Sequence, residues 1–175
     1  MARKNRWEYL NDYQKNESGE YEYKGGVYAF AADDDERRKA YVRLWAALTV
    51  TAASCVASGC LSGAGITNTF YVILPYIGEI ASLFALMWYH IKLLTKGAEV
   101  KAYIYKSTQP KIPVASMLVA FFAIVGFAMS LVFSFVSHFE DGVLNAVLYL
   151  VLKAVSAAAS LLYRNKFSKL EWIEI

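Results

Sequence analysis

The sequence has few of the residues that build disulfide frameworks and metal sites: two cysteines and two histidines among 175 residues. Cys55 and Cys60 lie five apart in one apolar stretch, so a helix would point them in different directions. They are expected to be small buried packing residues. His90 and His138 are predicted a membrane apart and cannot share a metal ion. The sequence therefore predicts no metal site, and no cofactor is expected.

Catalytic signatures are also missing. No serine or cysteine nucleophile has an evident base, and no glycine-rich phosphate loop follows a strand. Paired acids occur only in loops, as at Glu140 and Asp141. The nine basic residues before residue 44 are matched by nine acids, which gives no case for a nucleic-acid partner. An enzyme is thus the least favoured class of protein.

Apolar residues are abundant, at 57% of the chain. Four long stretches, each able to cross about 30 Å of hydrocarbon at about 1.5 Å per residue, contain most of them. The stretches cover residues 44–64, 69–93, 112–138 and 142–163. Four buried helices of a soluble bundle are the alternative, but 117–136 has no polar stripe. The sequence predicts an all-α membrane protein, with four transmembrane helices in an up-down bundle.

The basic residues predict how these spans are oriented. Of 18 Lys and Arg residues, nine precede residue 44, five lie in 92–111 and three follow residue 163, whereas the connections near 64–69 and 138–142 hold none. Basic residues stay on the side that is not translocated, so both termini and the 92–111 loop are expected in the cytoplasm. The expected location is the cytoplasmic (plasma) membrane of a prokaryote.

Three regions follow from this topology. Residues 1–43 form a cytoplasmic N-terminal segment, 44–163 the transmembrane domain and 164–175 a cytoplasmic tail. In the first region, acids at the start of 33–45 predict a helix that begins near residue 33 and runs straight into the membrane.

The N-terminal segment also carries a hairpin signal near 20–30. Aromatic residues alternate on both sides of a Gly-Gly pair in EYEYKGGVYAF, and a two-residue turn would set Tyr23 opposite Tyr28. It would also set Tyr21 opposite Phe30. The predicted hairpin is barely stable alone in water and needs a surface to lie on.

Two other cytoplasmic segments are candidates for that surface. KAYIYK (101–106) shows its own alternation, and KLEWIEI (169–175) is the tail. We expect a small cytoplasmic sheet assembled from these segments. The alternative is that the aromatic side chains rest at the level of the lipid headgroups.

Glu79 is the only acid inside the apolar stretches, and Lys153 is the only Lys or Arg away from their ends. Each lies ten or eleven residues from the outer end of its span, about 15 Å deep, on two helices that run in the same direction. Either charge alone costs a few kcal/mol there. We therefore predict an inward-facing ion pair, direct or through water, within one subunit or across a dimer. Snorkelling of Lys153 and protonation of Glu79 are the alternatives.

Polar residues extend both faces. On the fourth span they recur at spacings of three and four: Asn145, Tyr149, Lys153, Ser156 and Ser160, leading to Arg164. On the second span Tyr76, Glu79, Ser82 and more distantly His90 share a similar face. Pro75 removes a backbone donor one turn before Glu79 and, with the adjacent Gly78, predicts a helix hinge.

The first and third spans carry small residues instead. They are Ser54, Ser58, Gly59, Ser62 and Gly63, then Ser116, Ala120, Ala123, Gly126, Ser130 and Ser134. Their spacing lets helix backbones approach closely, so packing seams are predicted. The Gly59–Gly63 pair also fits a dimerisation motif.

Two functions remain open. One is an oligomeric transporter of a small polar solute or ion, with Glu79 as the proton or cation site and Lys153 as its counter-charge. Its lining would be Tyr76, Tyr149, Asn145, Ser156 and Ser82. The other is a non-catalytic membrane subunit or scaffold that docks a cytoplasmic or membrane partner, with a pair that only fixes packing. Besides the lipid bilayer, the expected partners are a second copy or another membrane protein.

Overall fold

Four long helices make up most of the part of the chain that the computed structural model describes, which is residues 12–16, 19–61, 69–95, 97, 99–139 and 142–175. The long helices are α1 (Asp34–Gly59), α2 (Phe70–Leu94), α4 (Lys111–Val136) and α5 (Val143–Phe167), and a short helix α3 (Ala102–Thr108) precedes α4. The strands are β1 (Tyr13–Lys15), β2 (Tyr21–Tyr23), β3 (Val27–Phe30), β4 (Glu99–Lys101) and β5 (Trp172–Glu174). By length and composition, α1, α2, α5 and the stretch of α3 and α4 could each cross a membrane.

The start of α1 follows from its charges. The Asp33 carboxylate accepts a hydrogen bond from the backbone N–H of Asp34 at 2.8 Å, and the first turn holds three acids. Acids at a helix N-terminus neutralise its partial positive charge. The prediction of a helix from about residue 33 is therefore confirmed. The helix ends at Gly59, and the predicted seam residues Ser62 and Gly63 lie outside the described part of the chain.

The long helices run alternately up and down. Helices α1 and α5, α5 and α4, and α4 and α2 pack closely, whereas α1 and α2 approach each other less closely. Helices α2 and α5 therefore run in the same direction and lie diagonally across the bundle. Contacts between them are made by side chains that reach through the centre.

Small residues line the close contacts between helices. The predicted seam residues of α1 and α4 that the structure describes are buried, with Gly59 half-buried: Ser54, Ser58, Ser116, Ala120, Ala123, Gly126, Ser130 and Ser134. This confirms their packing role. The outer faces carry exposed large apolar side chains, among them Phe84, Trp88, Phe121, Phe135 and Leu144. A surface of this kind is typical of helices that face lipid.

A three-stranded antiparallel sheet closes one end of the bundle, called here the sheet end. Strand β3 lies in its centre, with Tyr28 opposite Val100 of β4 and Phe30 opposite Trp172 of β5. The Tyr28 hydroxyl donates to the Glu174 carboxylate at 2.9 Å, which raises the pKa of the Tyr28 phenol. The sheet thus joins the segments before α1, after α2 and after α5, as the sequence predicted.

The predicted Gly-Gly hairpin is wrong. Strand β2 pairs with β1, which sets Tyr23 opposite Tyr13 instead of Tyr28. Both edges of β3 are occupied by β4 and β5, so no edge is left for β2. The glycines leave room for neighbouring side chains, because an added Cβ would clash with the Tyr23 hydroxyl at Gly25 and with the Glu174 carboxylate at Gly26.

The alternating pattern in KAYIYK (101–106) also favoured a strand where most of the segment is a helix. Only Lys101 belongs to a strand, and the rest of the segment is in α3. Helical geometry buries Ala102 and Ile104 while it stacks the Tyr105 ring on Tyr28, with 4.2 Å between ring centroids. Contacts with the sheet have therefore overridden the local strand pattern.

Candidate functional site

Glu79 and Lys153 form a direct ion pair at the centre of the bundle. Lys153 Nζ lies 2.5 Å from Glu79 Oε2, and both side chains have zero exposure. Glu79 lies nine residues after the first residue of α2 and Lys153 ten after the first residue of α5, so the pair joins the diagonal helices near mid-length. The predicted inward-facing pair is confirmed, in its direct form and within one chain.

The carboxylate of Glu79 has polar neighbours besides Lys153. Ser156, one turn after Lys153, donates from its hydroxyl to Glu79 Oε1 at 2.6 Å. Cys55 of α1 lies close to the same carboxylate. Each carboxylate oxygen thus accepts at least one hydrogen bond, and such bonds offset the cost of burying the charge.

Two tyrosine rings flank the ammonium group of Lys153. Its Nζ lies 4.6 Å from the ring centroid of Tyr76 and 5.1 Å from that of Tyr149. Aromatic faces attract a cation electrostatically, most strongly where water is excluded. A Cβ built on Gly126 of α4 would lie 3.8 Å from Lys153 Cε, so all four long helices border the site.

The Tyr149 hydroxyl is a polar group of the site that can still form hydrogen bonds. The side chain is fully buried, and within the described ranges its hydroxyl has no hydrogen-bond partner. It points toward Gly126, where a Cβ would lie 3.8 Å from it. A phenol can donate one hydrogen bond and accept others, so this group could bind a polar solute beside the charges.

The remaining predicted lining residues differ in their relation to the pair. The Tyr76 hydroxyl packs onto Gly59, where an added Cβ would clash with it. Asn145 is half-buried on α5, two turns before Lys153. Ser82 is buried, but its hydroxyl donates to the Gly78 carbonyl of its own helix at 2.8 Å. Tyr76 therefore contacts the charged group, whereas Ser82 is bonded to its own backbone.

The proposed hinge residues have packing contacts. Pro75 is buried inside α2, near Gly126 of α4. A Cβ on Gly78 would lie 2.7 Å from the Phe122 ring, so the missing side chain lets α4 pack against α2. A hinge motion stays a prediction.

The polar face of α5 continues from the pair toward the sheet end. Ser160 donates to the Ser116 carbonyl of α4 at 2.6 Å. One turn later the Tyr163 hydroxyl lies 2.7 Å from Nδ1 of His90 on α2, and both side chains are fully buried. The predicted end of this face at Arg164 is wrong, because Arg164 is exposed and Tyr163 occupies the inward position. Spacings of four and three from Tyr149 onward lead to Tyr163 rather than to its neighbour.

Cys55, Gly126 and Tyr163 lie beside the site but were not predicted to belong to it. Cys55 is buried, as the sequence predicted, on the face of α1 that also holds Thr51 and Ser58. Cys60 was expected to be buried and is exposed. Gly126 and Tyr163 also contact the polar face, and only the second had a spacing signal. No cluster of three His, Cys, Asp or Glu side chains suited to a metal occurs in the described ranges.

Comparison with known proteins adds no family to this geometry. No protein-family model matches the chain, and neither a curated protein nor a solved structure matches it. The chemistry of the site has to be argued from its own residues.

Proposed function

We propose that this chain is an integral membrane protein that moves protons or a small polar solute through a central site built on Glu79 and Lys153. Its termini and the 92–111 loop lie in the cytoplasm, as the basic residues favour. The observation that carries the proposal is the ion pair itself: two opposite charges with zero exposure, bonded directly at mid-length of helices long enough to cross a membrane.

The surroundings of the pair suit a site that changes its protonation. A proton on Glu79 would cancel its attraction for Lys153, while the two tyrosine rings would still hold the ammonium group. An anionic solute could then replace the carboxylate, with the Tyr149 hydroxyl as a further donor. The pair is thus the group on which a proton and a solute would compete.

Buried polar groups on one side of the pair support a route between the pair and the sheet end. Ser156, Ser160 and the Tyr163–His90 contact follow one another along α5 toward the sheet end. Hydroxyl and imidazole groups can both accept and donate hydrogen bonds, as a chain of groups that relays a proton requires. We place the cytoplasmic half of the pathway along this face. Because four helices scarcely enclose a pathway, an oligomer is the proposed working form.

The second candidate is a non-catalytic membrane subunit. The observation that favours it is that the two charges satisfy each other within one chain, so the pair alone could fix how α2 and α5 pack. Its partner would dock on the sheet end, where Ile173 is 54% exposed and Ile175 is 70% exposed.

A proton-flux experiment separates the two candidates. Purified protein is reconstituted into vesicles that contain a pH-sensitive dye, and a potassium gradient with valinomycin drives proton entry. Wild-type vesicles should acidify faster than protein-free vesicles, and the double variant Glu79→Gln/Lys153→Met should abolish the difference. Ser134→Ala is the matched control, because it removes a buried hydroxyl whose hydrogen bond, in the described part of the chain, is to the Ser130 carbonyl of its own helix.

The alternative outcomes have different meanings. Wild-type vesicles no more permeable than empty ones contradict proton movement, and equal flux in the double variant contradicts the role of the pair. Circular dichroism and gel filtration verify that each variant is folded. A subunit role predicts that the double variant still assembles with its partner as the wild type does. A reporter fused to the C-terminus, active only in the cytoplasm, tests the orientation.

A further inference from the structure

A concave surface rich in basic residues lies at the sheet end, between α1 and α5. It has a volume of about 400 Å³ and is called here the basic pocket. Its lining is Phe30, Ala32, Glu36, Lys39, Ala40, Arg43, Leu44, Lys166, Lys169 and Leu170. Three parts of the chain form it: the segment around β3, the first turns of α1 and the end of α5.

The charge balance of the basic pocket is strongly positive. Two cations come from α1, Lys39 and Arg43, and two from the other wall, Lys166 and Lys169. Glu36 is the acid of the lining. Within the described ranges, the ion pairs are Arg37–Asp34 and Lys153–Glu79, so none of the four cations of the pocket is neutralised there. Four cations that converge on one cavity favour an anion.

An apolar surface continues from the basic pocket along the bundle. Leu44 belongs to the lining of the pocket and is fully buried. One turn of α5 before Lys166, Leu162 is 57% exposed, and two turns of α1 after Arg43, Val50 is 45% exposed. A ligand with an anionic head and apolar chains would match both surfaces at once. A free inorganic anion would contact only the basic pocket.

We propose that the basic pocket binds the phosphate of an anionic phospholipid, whose acyl chains lie along the outer faces of α1 and α5. The cytoplasmic ends of membrane helices commonly hold such headgroups in pockets of Lys and Arg. The proposal goes beyond transport. It rests on membrane insertion with the sheet end in the cytoplasm and does not depend on the Glu79–Lys153 pair.

The test is lipid retention by the full chain. Protein purified in detergent and stripped of lipid is mixed with phosphatidylglycerol or phosphatidylcholine, and native mass spectrometry counts the bound lipid. The wild type should bind phosphatidylglycerol at least about 25-fold more tightly than phosphatidylcholine. Lys39→Gln/Lys166→Gln should lose most of this preference, at about fivefold for each cation removed.

A second pair of cations provides the matched control. Lys106 and Lys111 are exposed in α3 and at the start of α4, outside the basic pocket, so Lys106→Gln/Lys111→Gln changes the net charge equally. This control should keep the preference. An equal loss in both double variants overturns the proposal in favour of a diffuse surface charge.

Two further outcomes would also overturn it. One is a wild type that does not distinguish the two lipids. The other is inorganic phosphate that displaces phosphatidylglycerol at millimolar concentration, which would mark a site for a small anion. Glu79→Gln/Lys153→Met should retain lipid as the wild type does, so a failure of transport and a failure of lipid binding are observed separately. Gel filtration of each variant verifies that it is folded.

Discussion

Helices α2 and α5 meet at two places, and the two contacts differ in kind. Near mid-length Glu79 and Lys153 form an ion pair, and about three turns closer to the sheet end His90 and Tyr163 form a hydrogen bond between neutral groups. Both contacts join the same two parallel helices, and all four side chains are fully buried. Only the charge differs.

The comparison shows that charge is not needed to join these helices. A neutral hydrogen bond does so at His90, and burying two full charges costs several kcal/mol per ion before their attraction offsets it. The Trp45 ring also packs edge-on against the His90 ring, with 4.4 Å between the ring centroids, so His90 has an aromatic contact in addition to its hydrogen bond. A chain that keeps a charged pair at its centre therefore carries a group that packing alone does not require, which supports the transport proposal.

The largest expected effect comes from breaking the charged contact on one side only. Lys153→Met leaves the Glu79 carboxylate buried without its counter-charge, so the free energy of unfolding should fall by about 3–5 kcal/mol. Adding Glu79→Gln should restore most of this loss. Thermal unfolding in detergent measures both variants. A double variant as unstable as the single one would show that the ion pair is needed for packing after all.

The neutral contact should be less sensitive. Tyr163→Phe removes the hydroxyl and leaves Nδ1 of His90 without its partner, which should cost about 1–3 kcal/mol. The same unfolding measurement applies. The comparison fails if this loss equals or exceeds that of Lys153→Met, because the neutral contact would then dominate.

The smallest effect is expected between the two contacts. Ser160→Ala removes a hydrogen bond to the Ser116 carbonyl of α4. That carbonyl keeps its bond within the helix, so the free energy of unfolding should fall by only about 0.5–1.5 kcal/mol. Proton flux in vesicles gives a second measurement. A route along this face predicts slower flux, whereas unchanged flux would place the pathway elsewhere.

The sequence was sufficient to predict the ion pair. Glu79 and Lys153 lie at matching depth in spans of the same direction, and the cost of an isolated charge requires a partner. The neighbours were harder to predict. Gly126 and Cys55 belong to α4 and α1, and their positions depend on how those helices rotate about their axes, which the small-residue spacing does not determine.

The sheet shows where local pattern fails. Alternating aromatics around Gly25 and Gly26 favour a hairpin, but pairing is decided by which edges are free after the helices have assembled. Strand β3 pairs with β4 and β5, which are distant in sequence and adjacent in space. The packing of the helices brings these strands together, and the local sequence pattern does not contain that information.

The position of β5 in the chain has a consequence for biogenesis. Because β5 follows α5, the ribosome makes it after all four long helices, and until then one edge of β3 has no partner. The contact of the Ile175 N–H with the Val27 carbonyl, at 2.8 Å, forms only when synthesis has passed that point. Completion of the sheet is therefore a late step, and a nascent chain that stalls earlier presents an open strand edge to chaperones and proteases.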